Sequence, residues 1–449
     1  MATRKRRQLT AVGVLAAGAL ALTGCLQNPN TGGAGTSGLD GYVDNAEPDG
    51  DGVVTMLGAF GGAEKEAFNA SLEAFESESG IDIQYTDDQN FTTTVKQKTE
   101  AGAASDIALF PQPGGLLELA ADSYVQPIDT YLDYNTLNQT LIPGFLDAAN
   151  LNGRIYGAPM RMAVKSIVWY PKKAWEAENY PTEFDSIQEL MDFSQQLVDD
   201  GKTPWCQGWE SDQATGWVGT DWLEEYVLRI AGPDVYDQWV THDIPFNDPV
   251  VVESLDAYGE LAKNPDMVLG GERGILNTPF AEAMLPAFND PPKCWMERQG
   301  NFATTFYPPQ IQENLDEEIG TFVFPPYDGG YAGQPVLGGG DIAALFNGND
   351  EDAIEVMKFL TSDQFGGEWA AASGWLSPHR TFDASNYPDD TTRAIAELAS
   401  DADIFRYDAS DVMPKEVGSD SFWTGMVDWI GGDSTDDVLT TIEEGWPES

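Results

Sequence analysis

The chain has 449 residues, with 74 Asp and Glu against 23 Lys and Arg, and a formal net charge of −51. So negative a surface repels nucleic acid and anionic polymers, which excludes both as partners, and its self-repulsion points to a saline habitat, where 1 M salt shortens the screening length to about 3 Å. A hydrophobic content of 42% with 11% aromatic residues excludes a disordered acidic tail.

At the start, Arg4, Lys5, Arg6 and Arg7 precede an apolar run over 9–22, too short for a comfortable membrane span but the right length for a secretory signal core. Leu22-Thr23-Gly24-Cys25 follows. It resembles the lipobox of prokaryotic lipoproteins, which implies cleavage before Cys25 and a diacylglycerol on its thiol; an ordinary cleaved signal with a chance cysteine is the competing reading. Arg6-Arg7 leaves the general and twin-arginine export routes both open. Residues 1–24 thus read as a signal peptide, and 25–52, rich in Gly, Asn and Asp, as a lipid-anchored flexible tether. No second apolar span follows, so the expected location is the extracytoplasmic face of the cell membrane, anchored rather than integral. Residues 53–449 exceed what one core usually holds, which predicts two lobes.

Val53 to Leu57 reads as a buried strand. Phe68, Leu72 and Phe75 mark one face of a helix over 64–79 that Gly80 ends. Further strands are predicted at 81–85 and 106–110, with a polar helix between them. Alternation of this kind predicts a mostly parallel sheet with crossover helices, and ligands on such sheets sit beyond the carboxyl ends of the strands. Those ends are the glycine-rich loops 58–64 and 111–115. Helices are expected around Leu190 to Leu197, Trp222 to Ile230, 352–360, 365–372, 422–430 and 436–444. Short strands are expected at 302–306 and 321–324, and a Gly-rich crossing strand over 334–346. With Cys25 assigned to lipid, Cys206 and Cys294 are an even pair outside the cell, expected to be bridged, with two separate buried thiols as the alternative.

Thirteen tryptophans are unevenly spread, and four fall between positions 205 and 222. Trp205, Trp209, Trp217 and Trp222 alternate with Glu210, Asp212, Thr215 and Asp221. Indole offers a flat apolar face that suits the C–H side of a pyranose, and neighbouring acids suit its hydroxyls. Core packing is the better explanation for any one tryptophan, but not for a cluster so mixed with acids and glycines.

The stretch from Asn152 to Glu176, NGRIYGAPMRMAVKSIVWYPKKAWE, resembles the sugar-binding lipoproteins of carbohydrate ABC importers, in the superfamily of maltose-binding protein. YVQPIDTYL at 124–132 and GGGDIAALF at 338–346 are similar to that family too. PWCQGWESDQATGWVGTDWLE at 204–224 and SGWLSPHR at 373–380 look like its alpha-glucoside binders. Pro171 departs from the pattern, standing where many relatives have Asn.

The resemblance implies an α/β fold of two lobes, periplasmic-binding-protein-like, each lobe a mostly parallel sheet flanked by helices and joined by hinge-crossing segments. The first lobe would take 53–162 and 341–372, the second 165–336 and 378–449, with crossings near Ala163, Leu337 and Gly374. It implies capture of a neutral sugar or oligosaccharide, an alpha-glucoside by likeness, and delivery to ABC permease subunits by a monomer without cofactor or metal. Candidate ligand contacts are Glu64 and Gln112 from the glycine-rich loops, Lys165 at the hinge and Trp209, Glu210, Trp217, Asp221 and Trp222 from the tryptophan cluster. Asp341 after three glycines, Trp375 and Arg380 beyond the last crossing, and Trp423 where relatives place an aromatic platform complete the set. For Glu64 helix-dipole stabilisation is the rival role, and for Trp423 helix packing.

An anchored glycoside hydrolase is the enzyme alternative, since it too uses aromatics and paired carboxylates. No GxSxG or HExxH motif occurs, and His242 and His379, the two histidines, lie far apart in sequence. Gly201-Lys202-Thr203 lacks the first glycine of a phosphate-binding loop.

Overall fold

The computed structural model describes residues 50–447 apart from 373 and 403; Cys25, the signal and most of the tether lie outside the described residues. Strands Val53–Gly58, Asp82–Asp87 and Ile107–Phe110 alternate with helices Gly62–Ser79, Phe91–Glu100 and Pro113–Ala121. The first strand is central and pairs in parallel with both others, Val54 opposite Ile83 and Leu57 opposite Ala108. Gly80 closes the first helix in the left-handed region at φ 78°, its N–H donating to Glu76 O.

The predicted crossing strand is observed as Val336–Leu345. Its first residues pair in parallel with Phe405–Tyr407, and the rest runs antiparallel to Ile107–Phe110 and to Ala158–Val164. At two of its glycines the neighbouring strand leaves no room for a side chain. A Cβ on Gly338 would lie 2.3 Å from Ala163 O, and one on Gly340 2.1 Å from Arg161 O. At the crossing, Lys165 N donates to Leu337 O, and Ser166 Oγ accepts from Leu337 N while donating to the buried Glu225.

The second sheet has Ile167–Pro171 at its centre, flanked by Glu297–Arg298 and Ile319–Val323. Both flanking strands are antiparallel to it, unlike the mostly parallel sheet expected in each lobe. A long helical excursion after Pro171 returns the chain from the far end of that strand, so the partners run back along it. Residues 302–306, predicted as a strand, lie in a 3-10 helix, Asn301–Phe306. The hydroxyls of Thr304 and Thr305 bond back to the carbonyls of Asn301 and Phe302, local bonds that compete with strand pairing.

Two hydrophobic cores result. One gathers Val54, Phe68, Leu109, Leu345, Trp369 and Trp375, and the other Trp175, Trp205, Trp222, Trp239, Tyr258 and Trp429. Tyr387, Ile395 and Tyr407 pack into the first core, whereas Ala409, Met413, Val417 and Phe422 join the second.

Cys206 and Cys294, 88 positions apart in sequence, form a disulfide with Cα atoms 5.3 Å apart. Cross-linking so long a loop restricts the unfolded chain most, so Cys206→Ala with Cys294→Ala should lower stability by about 2–5 kcal/mol. Urea unfolding of wild type with and without reductant, beside the double variant, measures this. No helix among the described residues is long and apolar enough to cross a membrane.

Candidate functional site

A cavity of about 280 Å³ opens where the loops after two parallel strands face the second core. Ala59, Glu64, Pro111 and Gln112 line it from those loops, Arg161, Lys165, Gly340 and Asp341 from the crossing strands, and Trp217, Phe280, Phe302, Phe306 and Trp423 from the opposite side. One wall is therefore charged and hydrogen-bonding, the other aromatic. Asp408, Ser410 and Asp411 complete the lining.

Arg161 organises the polar wall. It sits opposite Asp341 in the antiparallel ladder, with Nε 2.5 Å from Asp341 Oδ2 and Nη1 2.8 Å from Glu64 Oε1. Its guanidinium lies 4.6 Å over the Phe60 ring and 5.4 Å over that of Trp369. Burial raises the Asp341 carboxyl above its usual range, against the pull of the Arg161 charge. Asp341 Oδ1 is buried and has no hydrogen-bond partner.

Lys165 organises the floor. Its Nζ donates to Asp221 Oδ1 at 2.8 Å and also to Asp408 Oδ2, and it stands 5.4 Å from the Trp217 ring centre. Burial opposes the ammonium, but the charges of Asp221 and Asp408 outweigh it and hold Lys165 well above the usual lysine range. Asp408 is held below the carboxylate range, since Lys165 and the surrounding hydrogen bonds overcome its burial. Asp221 and Glu224 are pushed up, first by burial. Asp221, Glu224 and Asp408 bring one oxygen each within 4.8 Å of one another. The Lys165 ammonium already bonds two of these three carboxylates and occupies the space between them, so the donor set does not fit a metal ion.

Comparison with known proteins decides the family. The model of the bacterial extracellular solute-binding proteins matches residues 61–366. The chain belongs to that family. This solute-binding protein is 42% identical to the osmoprotective compounds-binding protein GgtB of Synechocystis over 88% of its own length and 92% of the relative's. It is 31% identical to the alpha-glucosides-binding periplasmic protein AglE of Rhizobium meliloti over 88% of the chain and 87% of the relative. Among solved structures, a chitin oligosaccharide binding protein superposes with a TM-score of 0.71 at 19% identity, covering 87% of this chain and 97% of that one. The maltose-bound MalE3 of T. maritima gives 0.63 at 16% identity, over 87% and 98%. These likenesses establish the two-lobed α/β fold.

Six of the twelve ligand-contact candidates line the cavity of this solute-binding protein: Glu64, Gln112, Lys165, Trp217, Asp341 and Trp423. Asp221 lies one layer behind, on Lys165. The helix Trp217–Ala231 explains the split within the tryptophan cluster: residues 217, 221 and 224 follow one another on the side facing Lys165 and Ser410, and 222 turns away. Trp222 accordingly stacks on Tyr258 at 5.0 Å inside the core. Trp209 is fully buried, packed so close under Gly219 that a Cβ there would meet its ring at 2.6 Å. Glu210 turns back to accept from Asp212 N, Trp375 packs against Phe365 and Trp369, and Arg380 reaches Gln139 O on the surface. These five stand outside the cavity lining.

Arg161, Phe280, Phe302, Phe306, Asp408, Ser410 and Asp411 were not among the candidates. Arg161 carried a usable signal, a rare cation four residues before Lys165 on an apolar strand. Asp408 carried none, being one of 74 acids.

Proposed function

We propose that this protein captures a small neutral glucoside between its two lobes and delivers it to the membrane subunits of an ABC importer, tethered to the membrane through lipid on Cys25 and acting as a monomer. The observation that carries this reading is a cavity with hydrogen-bonding side chains on one wall, among them Asp341, whose buried Oδ1 has no partner, and the rings of Trp217, Phe280, Phe302 and Trp423 on the other. A buried polar atom without a partner is costly, so a ligand hydroxyl that reaches Asp341 as the site closes is favoured. A hydroxyl group donates and accepts at once, and the aromatic wall of Trp217, Phe280 and Phe306 suits the apolar face of a sugar ring. A volume of about 280 Å³ lies at the small end of ligand sites. Relatives named for alpha-glucosides and for osmoprotective compounds support the same chemistry. Residues 53–162 with 341–372, and 165–336 with the chain after Ala409, would close about the crossings near Ala163 and Leu337, the ligand favouring the closed state by its extra contacts there.

Titrating the protein in high salt with trehalose, sucrose, maltose and raffinose, read by melting temperature and tryptophan fluorescence, should show one or more of them raising stability without being consumed. Release of glucose on long incubation would favour the hydrolase instead. Trp217→Ala should weaken the best sugar about tenfold to a hundredfold, the ~1.5–3 kcal/mol that an aromatic face contributes when covered. Unfolding should stay cooperative, because Trp217 is only half-buried. Loss of folding would place this ring in the core.

A further inference from the structure

Beneath the cavity lies a cluster with more acids than its one cation can balance. Glu224, fully buried on the helix Trp217–Ala231, accepts from Ser410 N through Oε1 at 3.0 Å. Its other oxygen, Oε2, is buried without a hydrogen-bond partner. Glu224 and Asp408 each bring an oxygen into the group that spans 4.8 Å. Asp408 already accepts from Lys165 Nζ through Oδ2 and from Ser410 Oγ through Oδ1. Two ionised carboxylates so placed would repel each other in a dry environment and leave Oε2 unsatisfied. A proton on that oxygen removes one charge and turns an orphan acceptor into a donor in a single step.

We infer that Glu224 is a neutral carboxylic acid at neutral pH, donating its proton to Asp408, and that this carboxyl–carboxylate bond positions the Asp408–Asp411 turn at the floor of the cavity. Glu224 is thus a positioning residue, acting through Ser410 and Asp408, both of which line the cavity.

The groups around it agree. Asp221, on the same helix, adds a like charge, and Lys165 supplies the one opposing charge in direct contact with the cluster. Asp411, on the same turn as Asp408, faces Asp408 and Asp221 and adds a further acid. Tyr236, from the helix Pro233–Val240, is neutral and donates to Tyr407 O at 2.9 Å. Arg298, from the second sheet, acts on Asp221 but spends its hydrogen bond on Glu225. Burial and the like charges of Asp408 and Asp221 push Glu224 well above the glutamate range. The role at the cavity rests on the proposed solute binding; the resident proton does not.

The test uses the full chain without sugar. Infrared difference spectra of wild type minus E224Q at neutral pH should show the carbonyl stretch of a protonated carboxylic acid; its absence overturns the proposal. Gln keeps a donor toward Asp408 at every pH. Wild type should therefore lose stability relative to E224Q as pH rises from the ordinary glutamate range toward the raised value, since the folded state binds the extra proton there. A melting-temperature difference flat with pH overturns it. Hydrogen exchange of the peptide carrying Ser410 should remain slow in E224Q and speed up at least tenfold in E224L, which removes both bonds; equal exchange in all three overturns the positioning role. A missing infrared band together with stabilisation of wild type, but not E224Q, by Na⁺ or Ca²⁺ would put a cation where the proton is inferred. A wild type that shows the band yet binds no sugar retains the proton and sinks the solute reading alone.

Discussion

Arg161→Met is expected to abolish sugar binding and to lower the unfolding free energy by about 3–5 kcal/mol, the range for breaking a buried ion pair from one side. The cause is Asp341. It is 2% exposed, its Oδ1 has no partner, and its Oδ2 depends on Arg161 Nε. Without the guanidinium both oxygens are orphaned in a dry site, and the carboxyl must take up a proton or bring in water. Glu64 suffers less because its side chain is one-quarter exposed. Loss of the guanidinium over Phe60 and Trp369 adds a smaller cation–π term of about 0.5–1 kcal/mol. The pH dependence follows from Asp341. An orphaned carboxyl has a folded pKa raised still further, so the variant is least impaired below the unfolded aspartate pKa and loses stability as pH rises through the raised value. Adding Asp341→Asn to Arg161→Met should recover part of the stability without restoring binding, because it removes the stranded charge but not the lost architecture. Urea unfolding at pH 4 and pH 8 with calorimetry against the best sugar checks these outcomes. A single variant that binds normally would show that Arg161 only fills space.

The fold was legible in the sequence where local pattern and tertiary need coincide. The opening strands and helices follow the period of Phe68 and Leu72 and the stop at Gly80, and the crossing strand follows from three glycines before an apolar run. The Cys206–Cys294 bridge followed from cysteine arithmetic. Site residues were legible only when their type was scarce. Lys165 stood out because the chain has few cations, and Trp217 because tryptophan clusters there. Direction was the hidden quantity: Trp217 and Trp222 are five positions apart, which on a helix separates a cavity wall from a core. Asp408 is invisible in so acidic a chain, since its importance comes from meeting Lys165 across 243 positions. Phe302 and Phe306 were noticed as a strand, yet they reach the cavity through a 3-10 turn set by threonine hydroxyls.

Lys165→Met should be comparably destructive, stranding two buried acids instead of one. Asp221 and Asp408 are 2% and 1% exposed and both direct an oxygen at the ammonium. Their cost with the cation gone is again about 3–5 kcal/mol, and Met fills most of the volume, so packing contributes little of it. The sign with pH separates this variant from a simple packing defect. In wild type Asp408 is held below the usual aspartate range by Lys165, so it contributes stability above its unfolded pKa that is lost as pH falls toward the folded value. Without Lys165 that depression disappears and the folded pKa of Asp408 rises instead. Above pH 4 the wild-type Asp408 is ionised both folded and unfolded and its contribution hardly changes, while the variant gains stability as pH falls toward the unfolded aspartate value, so their difference should shrink from pH 8 to pH 4. A deficit that stays constant over that window would mean that lysine's stem, not its charge, supports the floor. Sugar affinity gives the second reading. Trp217 loses a cation 5.4 Å from its ring centre, and the Asp408–Asp411 turn loses its tie to the segment between the strands Ala158–Val164 and Ile167–Pro171, so binding should fall even at pH 4, where folding recovers. Recovery of binding along with folding would assign Lys165 to stability alone and leave recognition to Arg161, Asp341 and the aromatic wall.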